Sequence, residues 1–381
     1  MTMETSQTIA PTDKRNWIEI AESLGPDFAN RAAKYDEEGR FVEENYADLR
    51  TEGFFWAGIP EEVGGNGASH REMSNVITEL AKYCGSTALS FAMHTHPVLT
   101  NVFKHKSGDK KATGALEKIA EKKLVVAGTG ANDWLGSSGS ATEVEGGFLV
   151  NAEKRFVSGA PGAQLFVTSV RHESEKGAEV IHFAVPFNTG GVELVNNWDA
   201  LGMRGTGSLD VIMKDVFVPE AAVVVRRPAD VWHPMWNAIL PIAMPLIASA
   251  YVGMAEEAAR LATEAATHVG ADLAGPVGEM LNSLTVAQMA REQMLENVED
   301  LTFSPTLQLA NDTLVRKTIV AEAAKSTVEM ASEVIGGRGF SRRHPIERIV
   351  RDIRAIHFHP LPKKRQVEFS GRVGLGLDPV G

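Results

Sequence analysis

The sequence predicts an α+β protein in which a helical N-terminal domain, a central antiparallel β-sheet domain and a C-terminal helical bundle follow one another along 381 residues. Apolar residues recur at helical spacing from Asn16 to Lys123. Short β-branched runs separated by turn residues follow from Leu124 to Val225, and helical spacing returns after Pro234. This order argues against a doubly wound nucleotide-binding fold, in which strands and helices alternate along the chain.

The first predicted domain, residues 1–123, is helical, with breaks at the Gly/Pro cluster from Gly58 to Gly67 and near Pro97. Its opening stretch, MTMETSQTIAPTDKRNW, lacks the apolar core of a secretion signal, and its early acidic residue is untypical of a transit peptide. We expect a loose tail there and a cytoplasmic protein. The single cysteine, Cys84, suits a reducing compartment and is expected to be a packing residue.

The middle and last domains are predicted over residues 124–233 and 234–381. The strand-like runs of the middle domain are LVVAGT, GFLVNAEKRFV, AQLFVTSV, VIHFAVP and DVIMKDVFVP. The helices of the last domain are expected over Ala238–Val269, Val277–Val298, Gln308–Val334 and Pro345–Ala355. The most apolar run, from Ile239 to Met254, is too short to cross a bilayer and contains two prolines, so we expect a core helix and no membrane partner.

The composition argues against nucleic-acid partners and against metal sites. A hydrophobic content of 44% is typical of a packed globular protein, and a formal charge of −11 argues against nucleic-acid binding. One cysteine excludes a multi-cysteine metal centre. The histidines of MHTHPV and HFHPLP lack carboxylate neighbours at ligand spacing, so no metal site is expected.

Four segments resemble the acyl-CoA dehydrogenase superfamily, and they occur in the family's order. They are GIPEEVGGNGAS (Gly58–Ser69), VSGA (Val157–Ala160), LGMRGTGSLDVIMKDVFVPE (Leu201–Glu220) and EVIGGRGFSRRHPIERIVRD (Glu333–Asp352). Each alone is a weak signal, because a glycine cluster is most often a turn. From Gly58 to Asp352 they span about three quarters of the chain, and they fall where the pattern of helices and strands places them.

The resemblance implies a flavin, usually FAD with FMN as the alternative, between the sheet domain and the C-terminal helices. Thr129 would hold the pyrimidine end of the ring, Ser158 would hydrogen-bond near N5, and Phe156 would pack against the ring. A homotetramer or homodimer is implied as well. The turn formed by Gly336, Gly337 and Gly339 would meet the cofactor diphosphate of a neighbouring subunit through backbone N–H groups.

The sequence departs from the dehydrogenase pattern where the catalytic base belongs. An acyl-CoA dehydrogenase removes a proton with a glutamate while a hydride passes to the flavin. The matching position near the C-terminus is Pro360, and the position used by other relatives is Ala243. Met244 stands where an arginine often meets acyl-CoA, and Ala271–Gly275 replaces the usual FAD clamp.

These departures resemble the two-component flavin-dependent monooxygenases of the same superfamily. GMRGTGS, residues 202–208, is close to that branch, and His357 and His359 fall where it places a histidine near the flavin. A histidine can donate a hydrogen bond or relay a proton near neutral pH. His94 and His96 lie on the early segment that faces the flavin cleft in relatives, and are candidates for substrate binding.

Three functions follow as hypotheses. The first is an oxygen-using or otherwise modified oxidation of an organic substrate, with a CoA thioester among the candidates and a flavin reductase as partner. The second is an ordinary acyl-CoA dehydrogenase whose base lies elsewhere and whose electrons pass to an electron-transfer flavoprotein. The third is a non-catalytic flavin-binding protein.

Overall fold

The computed structural model describes residues 15–129, 133, 135–175 and 177–381. Most of the predicted N-terminal tail lies outside the described residues, and the first helix begins at Trp17. The change from helix to strand falls between Glu121 and Val126, and the change back to helix falls between Pro228 and Trp236.

The N-terminal part of the described chain is helical, as expected. Its helices are α1 (Trp17–Glu38), α2 (Glu43–Thr51), α3 (His70–Tyr83), α4 (Gly85–Lys106) and α5 (Lys110–Glu121). A capping box starts α3, because the Ser69 side chain accepts from the Glu72 amide and the Glu72 carboxylate accepts from the Ser69 amide. Helix α4 is buried along most of its length and forms one wall of the site described below.

The middle part forms one sheet with strand order β6-β7-β3-β2-β4-β5-β8, with β1 pairing β4. The strands are β1 (Val126–Gly128), β2 (Ser140–Val144), β3 (Gly147–Val157), β4 (Leu165–Ser174), β5 (Gly177–Pro186), β6 (Val192–Val195), β7 (Leu209–Pro219) and β8 (Val223–Pro228). Most pairs are antiparallel, but β4 runs parallel to β1 and β2. After β3 the chain reverses, and β4 pairs with the edge of β2 that faces away from β3. Because β2 and β4 both run opposite to β3, they are parallel to each other.

The C-terminal part is a helical bundle around one long central helix. Its helices are α6 (Trp236–Thr267), α7 (Ala274–Glu296), α8 (Leu307–Ile335), α9 (Pro345–Asp352) and α10 (Lys363–Gly374). Helix α6 has the length and composition to cross a membrane, but 89% of its most apolar window is buried inside the protein, as in a core helix. At Gly85 of α4 a Cβ atom would lie 2.4 Å from the Met254 sulfur, so glycine permits the close packing of α4 on α6.

Two hydrophobic cores meet at the site. One joins the N-terminal and C-terminal helices, and its members include Phe91, Leu240 and Ile356. The other lies within the sheet domain around Phe148 and Phe183. A cavity opens where the strand ends of the second core face α4, α6 and the segment after α9.

Candidate active site

A cavity of about 500 Å³ brings together segments that are far apart in the chain. One side is formed by strand ends and by the loop from Trp198 to Met203, and the other by α4, α6 and residues 354–360. The helical side is almost entirely apolar. It is lined by Leu89, Met93, His96, Trp236, Ile239, Leu240, Ala243, Met244 and Ile247.

A chain of hydroxyl groups runs along the strand side of the cavity. Ser158 Oγ lies 2.7 Å from Ser208 Oγ, which lies 2.7 Å from Thr206 Oγ1. The Thr206 hydroxyl donates to the Met203 carbonyl at 2.9 Å. Each hydroxyl has one proton, so the Thr206 oxygen accepts from Ser208 and the Ser208 oxygen accepts from Ser158. This direction leaves the Ser158 oxygen as a hydrogen-bond acceptor towards the cavity.

Phe156 lines the cavity with its aromatic ring, and its backbone adopts an unfavourable conformation there. A register shift between β3 and β7 falls at Lys154–Val157, and there Phe156 adopts φ 62°, which is uncommon for a bulky residue. Its side chain is 51% exposed, with Trp198 edge-on at a centroid distance of 6.1 Å. Strain and exposure at one cavity-lining ring are typical of a surface that receives a planar ligand.

Thr129 lines the cavity at the end of β1, where the resemblance places it. Its amide donates to the Val167 carbonyl at 3.2 Å. Its hydroxyl lies 2.9 Å from the Thr168 hydroxyl. The side chain is therefore held at the strand end beside Gly128, which also lines the cavity.

His359 lines the cavity from the C-terminal segment, and its Nε2 lies 2.7 Å from the hydroxyl oxygen of the fully buried Tyr251. Burial lowers the pKa of His359 to about 3, with a further contribution from the charge of Lys317. Burial raises the pKa of Tyr251 well above its usual value. At neutral pH the imidazole is thus neutral and the phenol protonated.

The Tyr251 contact determines which nitrogen of His359 carries the proton. The phenol has no other hydrogen-bond acceptor among the described residues, so its proton is donated to Nε2. The remaining proton then lies on Nδ1, which has no partner in the described part of the chain. His359 is therefore a neutral hydrogen-bond donor at the cavity wall.

Lys317 holds the backbone of the same segment. Its ammonium group donates to the carbonyls of His359, at 2.9 Å, and Leu361, at 3.2 Å. The residue is only 2% exposed, and burial lowers the pKa of the amine to about 8. Sequence reasoning missed both Lys317 and Tyr251. The signal for Lys317 was a lysine on the apolar face of α8, in the series Leu314, Lys317, Ala321, Ala324 and Val328.

The two histidines of α4 have different surroundings. His94 is buried, with Nε2 at 2.6 Å from the Phe55 carbonyl and Nδ1 accepting from the Val126 amide at 2.9 Å, and it does not line the cavity. Its Nδ1 thus holds α4 to β1, and its Nε2 holds α4 to the short turn Phe54–Trp56. His96 lines the cavity, and its buried Nδ1 has no partner among the described residues. Burial lowers the pKa of His96 to about 4, so it is neutral.

The structure does not bring the other predicted residues into the cavity. His357 is absent from the cavity lining, and its Nδ1 lies 3.9 Å from the Glu322 carboxylate on α8. The segment Gly336–Phe340 forms a 3₁₀ turn away from the cavity, with Gly336 and Gly337 exposed. A Cβ atom at either glycine would meet nothing within 4 Å. Contact of this turn with the cofactor of a neighbouring subunit stays a prediction.

The positions at which a dehydrogenase places its base line the cavity here without a carboxylate. They are Ala243 and Pro360. The only carboxylate among the described lining residues is Asp199, which is 89% exposed and paired with Arg204 at 2.7 Å. An exposed, ion-paired carboxylate is poorly suited to removing a proton from a carbon atom, since a general base acts best when partly desolvated and unpaired.

Comparison with known families matches the chain in three consecutive parts. Residues 20–122 match the acyl-CoA dehydrogenase N-terminal domain, residues 128–216 the acyl-CoA dehydrogenase middle domain, and residues 240–359 the acyl-CoA dehydrogenase C-terminal domain. These matches cover the cavity walls on every side.

Individual relatives carry out different oxidations. The chain is 27% identical to the amino sugar nitrososynthase DnmZ of Streptomyces peucetius, over 95% of this chain and 93% of that protein. It is 27% identical to the dibenzothiophene monooxygenase of Mycolicibacterium goodii, over 94% of each. It is 25% identical to the human mitochondrial short-chain specific acyl-CoA dehydrogenase, over 87% of this chain and 84% of that protein.

A solved structure with the same fold is that of KijD3 in complex with FMN and a dTDP-linked amino keto sugar. It superposes with a TM-score of 0.85 at 23% identity, covering 98% of this chain and 96% of that one. The arrangement of helical, sheet and helical domains is thus confirmed.

Proposed function

The chain belongs to the acyl-CoA dehydrogenase family of flavin-dependent oxidoreductases, and from that premise we propose that it uses molecular oxygen to oxidise a small organic molecule. The observation that carries this proposal is the cavity wall itself. Where a dehydrogenase needs a carboxylate base, this cavity has Ala243 and Pro360, and beside them the neutral donor His359. A donor of this kind suits the stabilisation of a developing oxygen anion.

The residues present fit a flavin, FAD or FMN. Phe156, whose backbone is strained, offers a ring face for the isoalloxazine, and the hydroxyls of Thr129 and Ser158 lie at the same side of the cavity. Ser158, left as an acceptor by its donation to Ser208, would accept from the N–H that a reduced flavin carries at N5. The hydroxyl chain therefore favours the reduced form, which is the form that reacts with oxygen.

When bound, the reduced flavin supplies two electrons and the reactive centre for oxygen. The balance is one O₂, two electrons and two protons, with one oxygen atom entering the substrate and the other leaving as water. The protein's part is to exclude water with the apolar residues of α4 and α6, to hold the ring against Phe156, and to donate a hydrogen bond from Nδ1 of His359. The electrons would come from a separate flavin reductase.

The relatives support this assignment. A monooxygenase and a nitrososynthase, both by name enzymes whose products gain oxygen, match this chain over 94% and 95% of its length. The human acyl-CoA dehydrogenase matches over 87% of it. That match keeps the second candidate in view, an acyl-CoA dehydrogenase that passes electrons to an electron-transfer flavoprotein.

We also propose that the protein is a cytoplasmic homotetramer or homodimer. Large apolar side chains are exposed on the outer faces of α7, α8 and α10 and would be covered by another copy. They are Leu281, Val286, Met289, Ile319 and Val367. The exposed turn at Gly336 and Gly337 has the open space that a partner's ligand would need.

An anaerobic titration separates the two candidate functions. The oxidised flavin-loaded protein is mixed with acyl-CoA thioesters of several chain lengths while the flavin absorbance is recorded. The proposal predicts no bleaching with any thioester, because no unpaired carboxylate in the described lining is placed to remove the α-proton. Stoichiometric bleaching by one thioester would assign the dehydrogenase function instead.

A further inference from the structure

Three charged residues belong to the described lining of the cavity. They are Asp199 in the loop before Met203, Arg351 at the end of α9 and Arg354 just after α9. Each has a partner: Asp199 pairs with Arg204, Arg351 with Asp36 at 2.6 Å, and Arg354 lies 3.7 Å from Glu329.

Among the described residues, the wall that α4, α6 and residues 355–360 form carries no charge at neutral pH. Its side chains come from α4, α6 and residues 355–360, and all are apolar apart from two imidazoles and the indole N–H of Trp236. Burial lowers the pKa of both imidazoles well below neutrality, to about 4 for His96 and about 3 for His359. A carboxylate or phosphate placed against this wall would be buried beside neutral groups, while the arginines of the cavity are already paired with carboxylates, so its desolvation would be poorly compensated.

The two imidazoles supply hydrogen-bonding nitrogen atoms on this wall. His359 offers a donor at Nδ1, since Tyr251 occupies its Nε2. The imidazole of His96 makes no hydrogen bond among the described residues, and its Nδ1 is buried. Buried polar atoms in proteins are rarely left unpaired, so a polar atom of a ligand is the expected partner.

We infer that the molecule oxidised at this site is uncharged and mainly apolar, and carries one hydrogen-bonding group that His96 and His359 recognise. The inference rests on the proposed function for its reaction but names a substrate class that the reaction alone does not fix. It disfavours a CoA thioester and a nucleotide-linked sugar as substrates, because both carry phosphates.

Matched ligands test the inference without turnover. The oxidised flavin-loaded protein is titrated with 2-naphthol, naphthalene and 2-naphthoate, and binding is followed by the flavin difference spectrum and by equilibrium dialysis. We expect saturable binding of 2-naphthol, binding of naphthalene weaker by about fivefold for the loss of one hydrogen bond, and 2-naphthoate weaker by more than about tenfold. Butyryl-CoA and thymidine diphosphate should not compete with 2-naphthol.

A substitution at His96 tests whether this side chain contributes to the preference for 2-naphthol over naphthalene. His96→Leu should shift 2-naphthol binding towards the level of naphthalene without weakening naphthalene binding, which a misfolded protein could not do. The matched control is Met244→Leu, which keeps the wall apolar and should preserve the preference. Equal binding of 2-naphthoate and 2-naphthol, or displacement by butyryl-CoA or thymidine diphosphate, would overturn the inference. Because oxygen is not involved, these results are independent of whether the proposed reaction is correct.

Discussion

The hydroxyl of Tyr251 on α6 lies 2.7 Å from Nε2 of His359, a residue 108 positions later in the chain. This contact joins the central helix of the bundle to the segment that closes the cavity. It fixes His359 as a neutral donor through Nδ1, and the proposed chemistry depends on that donor.

Tyr251→Phe removes the proton that holds this tautomer and should weaken the donor. We expect the variant to keep its flavin and its fold. We also expect the reduced protein to release hydrogen peroxide about tenfold faster on exposure to oxygen, the effect of losing one oriented hydrogen bond in a desolvated site. Peroxide release is measured by a coupled peroxidase assay after anaerobic reduction.

The control for this prediction compares His359→Ala alone with the double variant that also carries Tyr251→Phe. His359→Ala should accelerate peroxide release at least as much, and adding Tyr251→Phe to it should change nothing further, since Tyr251 acts through His359. Additive effects in the double variant would mean that Tyr251 acts by another route.

Ser208→Ala interrupts the hydroxyl chain and frees the proton of Ser158. Ser158 could then donate to an oxidised flavin as readily as it accepts from a reduced one. We expect the flavin reduction potential to fall by about 20–30 mV, which for two electrons corresponds to about 1 kcal/mol. Spectroscopic redox titration measures the shift.

Ser90→Ala is the matched control for that titration. Ser90 donates to the Thr206 carbonyl at 3.1 Å but takes no part in the chain of hydroxyls. The reduction potential of the flavin in Ser90→Ala should equal that in the unmodified protein. A fall of the same size in both variants would contradict the proton direction assigned to Ser158.

Lys317 should make stability depend on pH in the alkaline range. Burial lowers the pKa of its amine to about 8 from 10.5, so between these values the unfolded chain binds more protons than the folded one. The free energy of unfolding should therefore rise with pH across this window, by a few kcal/mol at most. Urea unfolding of the unmodified protein and of Lys317→Met gives the comparison. An equal slope in the two proteins would show that Lys317 is not the group responsible.

Asp352 should have the opposite effect in the acid range. Its buried carboxylate accepts from the Met203 amide, and burial raises the pKa to about 6 from 3.8. Between these values the folded protein binds more protons, so this residue's contribution to stability is present below pH 4 and is lost as the pH rises through 6. Asp352→Asn keeps an acceptor for the Met203 amide but should abolish the loss of stability that occurs as the pH rises through 6. The check is the difference in unfolding free energy between the two proteins from pH 4 to pH 7.

The periodic parts of the fold were predictable from sequence, because each helix buries one face. The prediction of a helix over Val277–Val298 compares with α7 at Ala274–Glu296, and Pro345–Ala355 compares with α9 at Pro345–Asp352. The parallel pairing of β4 with β1 and β2 could not be read, since alternation of apolar residues does not report which strands are neighbours.

The site was predictable only in part. Thr129, Phe156, Ser158, His96 and His359 all line the cavity, and their roles towards a flavin or a substrate stay predictions. His94 differs from His96 because residues two apart on a helix face different directions, and sequence alone does not show which faces the ligand. The pairs formed by Tyr251 and Lys317 with the C-terminal segment depend on tertiary packing, and no local pattern encodes them.

The most direct test of the account follows oxygen and flavin together. The anaerobically reduced protein is mixed with oxygenated buffer, and dissolved oxygen and the absorbance of oxidised flavin are recorded in the same experiment. We predict that oxygen is consumed well before the absorbance recovers, and that His359→Ala removes the delay. Simultaneous oxygen loss and recovery in the unmodified protein, together with bleaching of the oxidised protein by an acyl-CoA, would contradict the account and identify a dehydrogenase.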